Sequence, residues 1–200
     1  LYAVAHHYSN GRVEDNPLRV YQTNKDAGKL ALEETAAAEA LGFLNTALFH
    51  MPREGLDVAQ ETADLSRLRG IACMNTQRLR DAMASFKEAL KGISDSVLRT
   101  DIRIQLSELY GSRYQFQEAR EELRLGFEEM GLVYPRGSLF QAIKAGLTWA
   151  LLKSLGLIRV VDDETRSLRL RTIARLYSRA VQIGYYQINR FQMIEAVAKG

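Results

Sequence analysis

Residues 67–90 read RLRGIACMNTQRLRDAMASFKEAL, and the fold is decided by the pattern within this stretch. Gly70 precedes Ala82 by twelve residues, and Phe86 and Ala89 follow Ala82 at i+4 and i+7, the spacing of one helix face. A small residue on one helix facing a small residue on the next lets the two helices approach closely, and the large residue at i+4 fills the space beside that contact. The stretch therefore predicts a pair of antiparallel helices.

The same pattern recurs on both sides of this stretch. Upstream, Gly28 precedes Ala40 by twelve residues, and downstream Ser107 precedes Ala119 by the same distance. The alanines at 40, 82 and 119 are separated by 42 and 37 residues. The sequence predicts that the contacts within these repeats are made by Gly28, Ala40, Leu44, Ala47, Gly70, Ala82, Phe86, Ala89, Ala119 and Leu123.

Helical periodicity dominates the rest of the chain, and patterns typical of strands are nearly absent. The one candidate strand is 157–161. Asn16-Pro17 is a capping residue followed by proline, which predicts a helix to about residue 32, and Thr35 is predicted to cap the next helix. Further helices are predicted at about 55–74, 76–90, 96–110, 114–130, from Asp162-Asp163 onward and at 186–199.

Over residues 20–130 these repeats resemble the tetratricopeptide-repeat family, whose helix pairs stack into a solenoid. The resemblance implies an all-α, antiparallel helix-pair α-solenoid that binds other proteins and catalyses nothing. The chain departs from the family in that no repeat has the aromatic residue near its start, and only the repeat ending at Pro52 has the expected proline. The intervals also exceed the family's usual length of about 34 residues. The family's peptide-binding residues are therefore not transferred to this chain.

A second resemblance concerns the order of features along most of the chain. The features are AVAHHYSNG at 3–11, FLNTALFHMP at 43–52, the stretch 67–90, the break GLVYPRG at 131–137 and LRLRTIARLYSRAVQIGYYQINRF at 168–191. In this order they are similar to the helical region that follows the AAA-type ATPase domain of large bacterial signalling proteins. Those proteins join the ATPase to an adenylate cyclase, a protein kinase or a LuxR-type activator. The resemblance implies a regulatory scaffold for signal transduction.

The predicted organisation has repeats at 1–130 and a helical extension of the same array at 131–200, which starts with an apolar helix at 138–158. Twenty residues of this segment, 139–158, could cross a bilayer. Lys144 near its middle would cost about 2.5–3.5 kcal/mol on insertion. A buried helix of the solenoid is therefore expected, with partner docking and interfacial membrane attachment as alternatives.

Motifs for catalysis, cofactors and metals are missing from the sequence. No G-x-x-x-x-G-K-[ST], G-x-G-x-x-G or H-E-x-x-H occurs, and the adjacent His6 and His7 would point in different directions on a helix. Cys73 lies where a repeat needs a small contact residue. We therefore expect no catalytic residue, cofactor or metal in this segment. The alternative is a helical part of a multidomain ATPase, adenylate cyclase or transcriptional activator whose active site lies outside these residues.

Two runs of charge are open to functional and structural interpretations. Arg171, Arg175 and Arg179 form a stripe at i, i+4 and i+8, and residues 159–200 carry eight Lys/Arg against four Asp/Glu. Such a stripe suits an anion, so a nucleic-acid-binding module is a second alternative, although the apolar residues between the arginines favour an ordinary amphipathic helix. The acidic residues of 118–129 are predicted to form a solvated, ion-paired helix face.

The expected partner is a protein, a peptide or a neighbouring domain of the same chain, rather than nucleic acid or a membrane. Uncapped repeat ends expose apolar surface, so self-association is also expected. The single cysteine and the absence of a signal-peptide pattern suit the cytoplasm, and we read the chain as a segment of a longer protein.

Overall fold

The computed structural model describes residues 1–11, 16–53, 57–135, 147–148, 151, 164–186 and 197–199. Over these residues the protein is all-α and contains no strand. The helices are α1 (Tyr2–Asn10), α2 (Pro17–Glu33), α3 (Ala37–Phe49), α4 (Val58–Asn75), α5 (Leu79–Gly92), α6 (Ser96–Ser112), α7 (Phe116–Glu129) and α8 (Glu164–Tyr186). The candidate strand 157–161 lies outside the described residues. So does most of the predicted apolar helix 138–158 and of the predicted last helix 186–199.

The predicted helix start at Asn16-Pro17 is confirmed, whereas the predicted cap at Thr35 was wrong. Thr35 was expected to cap α3, but it lies in the turn with φ 61°, and α3 is preceded by Ala36. Asn16 does precede α2, with Pro17 in the first turn, yet its side chain makes no capping hydrogen bond. Side-chain caps are present instead at α4 and α6, where Asp57 and Asp95 accept from backbone N–H groups three residues later.

The chain divides into two compact units, Leu1–Ser94 and Asp95–Gly200. In the first unit α2 packs against α3, α3 against α4, and α4 against α5, while α1 packs on α2. The fully buried side chains of Leu44, Leu65 and Phe86 form its core. The second unit contains α6, α7 and α8, each packed against the other two. Its core includes Leu123, Phe127, Leu176 and Ile183.

Three helix pairs, α2–α3, α4–α5 and α6–α7, are joined by the same turn. Thr35, Gln77 and Tyr114 all have φ near +60°, a left-handed conformation. In each turn the next N–H group donates to a carbonyl five residues earlier: Ala36 to Ala31 at 2.8 Å, Arg78 to Cys73 at 2.8 Å and Gln115 to Tyr110 at 3.0 Å. This bond satisfies a carbonyl that the helix end leaves unpaired. Each left-handed residue lies five positions before Ala40, Ala82 or Ala119.

Small residues bring the helices of the first unit close together. A Cβ atom at Gly28 would lie 2.8 Å from the side chain of Leu44, and one at Gly70 would lie 2.5 Å from the ring of Phe86. At the other end of α5, a Cβ at Gly92 would lie 2.6 Å from the carbonyl oxygen of Ala59. On α4, Ala59 precedes Gly70, but their partners on α5 come in the reverse order, Gly92 and then Phe86. The two helices are therefore antiparallel.

Candidate interaction surface

The residues predicted to make the repeat contacts lie in the interior. Gly28 and Gly70 are buried on α2 and α4. The other eight have no exposed surface: Ala40, Leu44, Ala47, Ala82, Phe86, Ala89, Ala119 and Leu123. They hold the helices together, so a surface that binds a partner must be built from other side chains.

A polar cluster links α2 to α4 in the first unit. The Tyr21 hydroxyl donates to Glu61 Oε2 at 2.5 Å, and Lys25 Nζ forms an ion pair with the same oxygen. Burial opposes ionisation of Glu61, but the hydrogen bonds from Lys25 and Tyr21 outweigh it and lower its pKa. For Lys25, burial is likewise outweighed by its hydrogen bonds to Glu61 and Tyr21, so its pKa is raised. Burial, together with the hydrogen bond to Glu61, raises the pKa of Tyr21. The charges of Lys25 and Glu61 neutralise each other within the cluster, and its hydrogen bonds connect α2 to α4.

A second ionic cluster links α6 to α7. Glu129 accepts from Arg99 Nε at 2.6 Å and from Arg103 Nε at 3.0 Å, while Arg103 Nη1 lies 2.9 Å from Glu122. Burial raises the pKa of Glu129, but its hydrogen bonds to the two arginines outweigh burial and lower it overall. The side chains of Arg103 and Glu129 are only 12% and 16% exposed, so this cluster also lies between helices.

This cluster corrects the prediction that the acidic residues of α7 form one solvated face. Glu121 and Glu128 do pair with Arg124 on the exposed side of α7, and the hydrogen bond from Arg124 lowers the pKa of Glu121. Glu122 and Glu129 instead face α6. Each of these two pairs spans seven residues, or about two helical turns, and only the neighbouring helix decides which pair is enclosed.

Two members of the arginine stripe are bound within the second unit. Arg175 forms an ion pair with Asp101 of α6, and Arg179 Nη2 donates to the Ser107 carbonyl at 2.9 Å. Arg171 is exposed. Nearby, Arg169 donates to the Met130 carbonyl at 3.3 Å. The arginines at 175 and 179 therefore fasten α8 to α6, which leaves little of the stripe for an anion.

An open groove lies between α1, α2 and α3 in the first unit, with a volume of about 330 Å³. It is lined by His6 and Asn10 of α1, Asn24 of α2, and Glu39, Gly42 and Thr46 of α3. We call it the α1–α3 groove. Ser9 of α1 and Phe43 of α3 complete its lining, which combines polar side chains with an aromatic ring.

The floor of the α1–α3 groove is held in place by hydrogen bonds. Asn24 is 1% exposed, and its Nδ2 donates to Ser9 Oγ at 2.9 Å and to the Val20 carbonyl at 2.8 Å. The rim is open: Asn10 Nδ2 lies 2.9 Å from a nitrogen of the exposed His6 ring. Among the described residues, Glu39 has no cation within ion-pair distance.

At the end of this groove, Tyr2 of α1 joins α2 and α3. Its ring stacks on Phe43 with centroids 5.4 Å apart and planes 9° from parallel. Its hydroxyl donates to Glu34, and this hydrogen bond raises the pKa of Tyr2 to about 12. These contacts fix the position of α1 relative to α2 and α3 at this end of the groove.

Cys73 and the residue types that bind metals can be located in the structure. Cys73 is fully buried, and burial raises the pKa of its thiol. In the described part of the chain, no group of three or more His, Cys, Asp and Glu residues could hold a metal ion. Nor does any helix there combine the length and apolar character needed to cross a membrane.

Comparisons with protein-family models, with curated proteins and with solved structures give no match to this chain.

The sequence patterns did not predict the α1–α3 groove. The signal that could have indicated it is Gly42, an interior glycine of a helix, at the same face as Glu39 and Thr46.

Proposed function

We propose that this chain is a non-catalytic, tetratricopeptide-like helical scaffold that binds a protein or a neighbouring domain of its own chain. The observation that carries the proposal is the recurrence of one left-handed turn in three helix pairs, at a constant offset from the alanines at 40, 82 and 119. Repeated helix pairs of this kind present extended side-chain surfaces for binding.

The polar clusters support a scaffold over an enzyme. A catalytic group needs access to substrate and a pKa suited to proton transfer. Glu61 and Glu129 instead have lowered pKa values and are covered by the basic side chains that neutralise them. Their arrangement suits the holding of helices at a defined distance.

The resemblance to the helical region of large bacterial signalling proteins supports a place within a larger cytoplasmic protein. In that setting the scaffold positions a neighbouring catalytic or DNA-binding domain, or docks a partner that regulates it.

Site-specific photo-crosslinking in the full-length protein tests the scaffold function. A photoreactive amino acid is placed at the exposed positions Asp26 of α2 and Ala84 of α5, and at the buried position Ala89 as a control. We expect a discrete crosslinked product with one protein, or with another domain of the same chain, from at least one exposed position. Excess unlabelled chain should compete with a crosslink to another protein, whereas a crosslink to another domain of the same chain should be unaffected by it. Absence of any specific product from both Asp26 and Ala84 would contradict the proposal.

A further inference from the structure

We propose that the α1–α3 groove binds a basic peptide segment of a partner protein, with a lysine or arginine side chain against Glu39 and the peptide backbone against α3 at Gly42. The inference rests on the proposed scaffold function and adds the location of one binding site and the chemistry of the partner.

Gly42 is the first reason. Glycine in the middle of a helix is unfavourable compared with alanine. Gly28 and Gly70 are explained by packing, because a Cβ atom there would lie within 3 Å of Leu44 or Phe86. At Gly42 a Cβ atom would meet nothing within 4 Å among the described residues. The fold of the described chain does not require this glycine, whereas close approach of a partner's backbone would.

Glu39 is the second reason. It lies three residues before Gly42, on the face of α3 that lines the groove. No described residue forms an ion pair with the Glu39 carboxylate, so it remains open to a cation. A cationic side chain of a partner would complement this charge.

The rest of the groove suits a peptide backbone. His6 and Asn10 are exposed at the rim, where the Asn10 amide nitrogen contacts His6 and the Asn10 Oδ1 remains open to accept from a peptide N–H group. The buried Asn24 is fixed by two hydrogen bonds, so the floor is formed before a ligand arrives. A preformed site reduces the entropy lost on binding.

The test uses random peptides displayed on phage and selected against the whole 200-residue chain at low salt. Recovered peptides are synthesised with a fluorescent label, and their dissociation constants are measured by anisotropy against four variants. Glu39→Gln removes the groove charge, and Glu33→Gln removes an exposed charge outside the groove lining. Gly42→Ala adds a methyl group inside the groove, and Ala38→Leu adds bulk on an exposed side of the same helix.

We expect the recovered peptides to be rich in lysine or arginine. Glu39→Gln should weaken their binding about threefold to tenfold. Gly42→Ala should weaken it about tenfold while raising the melting temperature, a combination that loss of folding cannot produce. The two control variants should bind within about twofold of the unchanged chain, and added salt should weaken binding.

Three results would overturn the inference. Recovery of no basic peptides would remove the predicted partner chemistry. Equal losses in Glu33→Gln and Glu39→Gln would indicate general attraction to the chain. Binding that survives both groove variants would place the site elsewhere, and the scaffold function would then stand, since the crosslinking experiment decides that function separately.

Discussion

Two glycines of the first unit have opposite surroundings, and each leads to a different expectation for the same substitution. Gly70 of α4 lies against the ring of Phe86, whereas the Cα of Gly42 on α3 faces open space. A methyl group added at the first position must displace a fully buried ring, and at the second it meets nothing in the described chain.

Gly70→Ala is therefore expected to lower the free energy of unfolding by about 1–3 kcal/mol, the usual cost of overpacking a core. Gly42→Ala is its matched control and should raise that free energy by about 0.5–1 kcal/mol, because alanine loses less backbone entropy than glycine. Urea titrations followed by circular dichroism measure both values. A Gly70→Ala variant as stable as the unchanged chain would disprove the close approach of α4 to α5.

The second prediction for a single residue concerns Phe86. Its side chain has no exposed surface, and Phe86→Ala should lower the free energy of unfolding by about 3–5 kcal/mol through lost burial and the cavity left behind. Phe49→Ala is a suitable control, because the Phe49 side chain is 84% exposed. If both variants melted at the temperature of the unchanged chain, Phe86 would not occupy the predicted position in the repeat.

At the scale of elements, the ionic cluster between α6 and α7 couples stability to pH. Glu129 has a pKa below its ordinary value of 4.5 in the folded chain, since Arg99 and Arg103 stabilise its ionised form more than burial disfavours it. A lowered pKa in the folded state contributes stability that is present above pH 4.5 and is lost as the pH falls toward the lowered value.

Glu129→Gln should therefore cost about 1–3 kcal/mol at pH 7, where it leaves two partly enclosed arginines without their shared carboxylate. The cost should shrink as the pH falls below 4.5, because Glu129 of the unchanged chain becomes protonated as well. Unfolding by urea at several pH values measures this difference. Glu118→Gln, an exposed change on the same helix, should show little effect at any pH. A cost for Glu129→Gln that does not change between pH 7 and pH 3 would contradict the role of the cluster.

At the scale of the whole molecule, each of the two units has its own buried core. In the first unit Leu44, Leu65 and Phe86 are enclosed by helices of that unit, and in the second unit Phe127 contacts Tyr177 edge to face at 4.9 Å. A chain of about 90 residues is long enough to bury a stable core.

A fragment comprising residues 1–94 is accordingly expected to fold by itself. Its circular dichroism should be that of a helical protein, and its thermal unfolding should be a single cooperative transition. A fragment of residues 1–75, which removes α5 and with it Phe86, is the control and should lose that cooperative transition. Gradual melting of the 1–94 fragment would mean that the first unit depends on residues beyond Ser94.

The sequence by itself determined the all-α class, most helix positions and the twelve-residue spacing from Gly28 to Ala40 and from Gly70 to Ala82. Helical periodicity and small-residue spacing are local properties, so they can be read from residues near one another in the chain. The cap at Thr35 was predicted wrongly, because a threonine before a helix serves equally well as a cap or as a turn residue.

Only the tertiary structure decided which surfaces are enclosed and which are open. Glu121 and Glu122 are adjacent in sequence, yet one pairs with Arg124 on its own helix and the other faces Arg103 across a helix interface. Likewise the stripe containing Arg175 follows from helix geometry, but its pairing with Asp101 depends on the packing of α8 against α6. The α1–α3 groove is built from three helices, and its shape depends on distances between residues far apart in the chain, which no local pattern specifies.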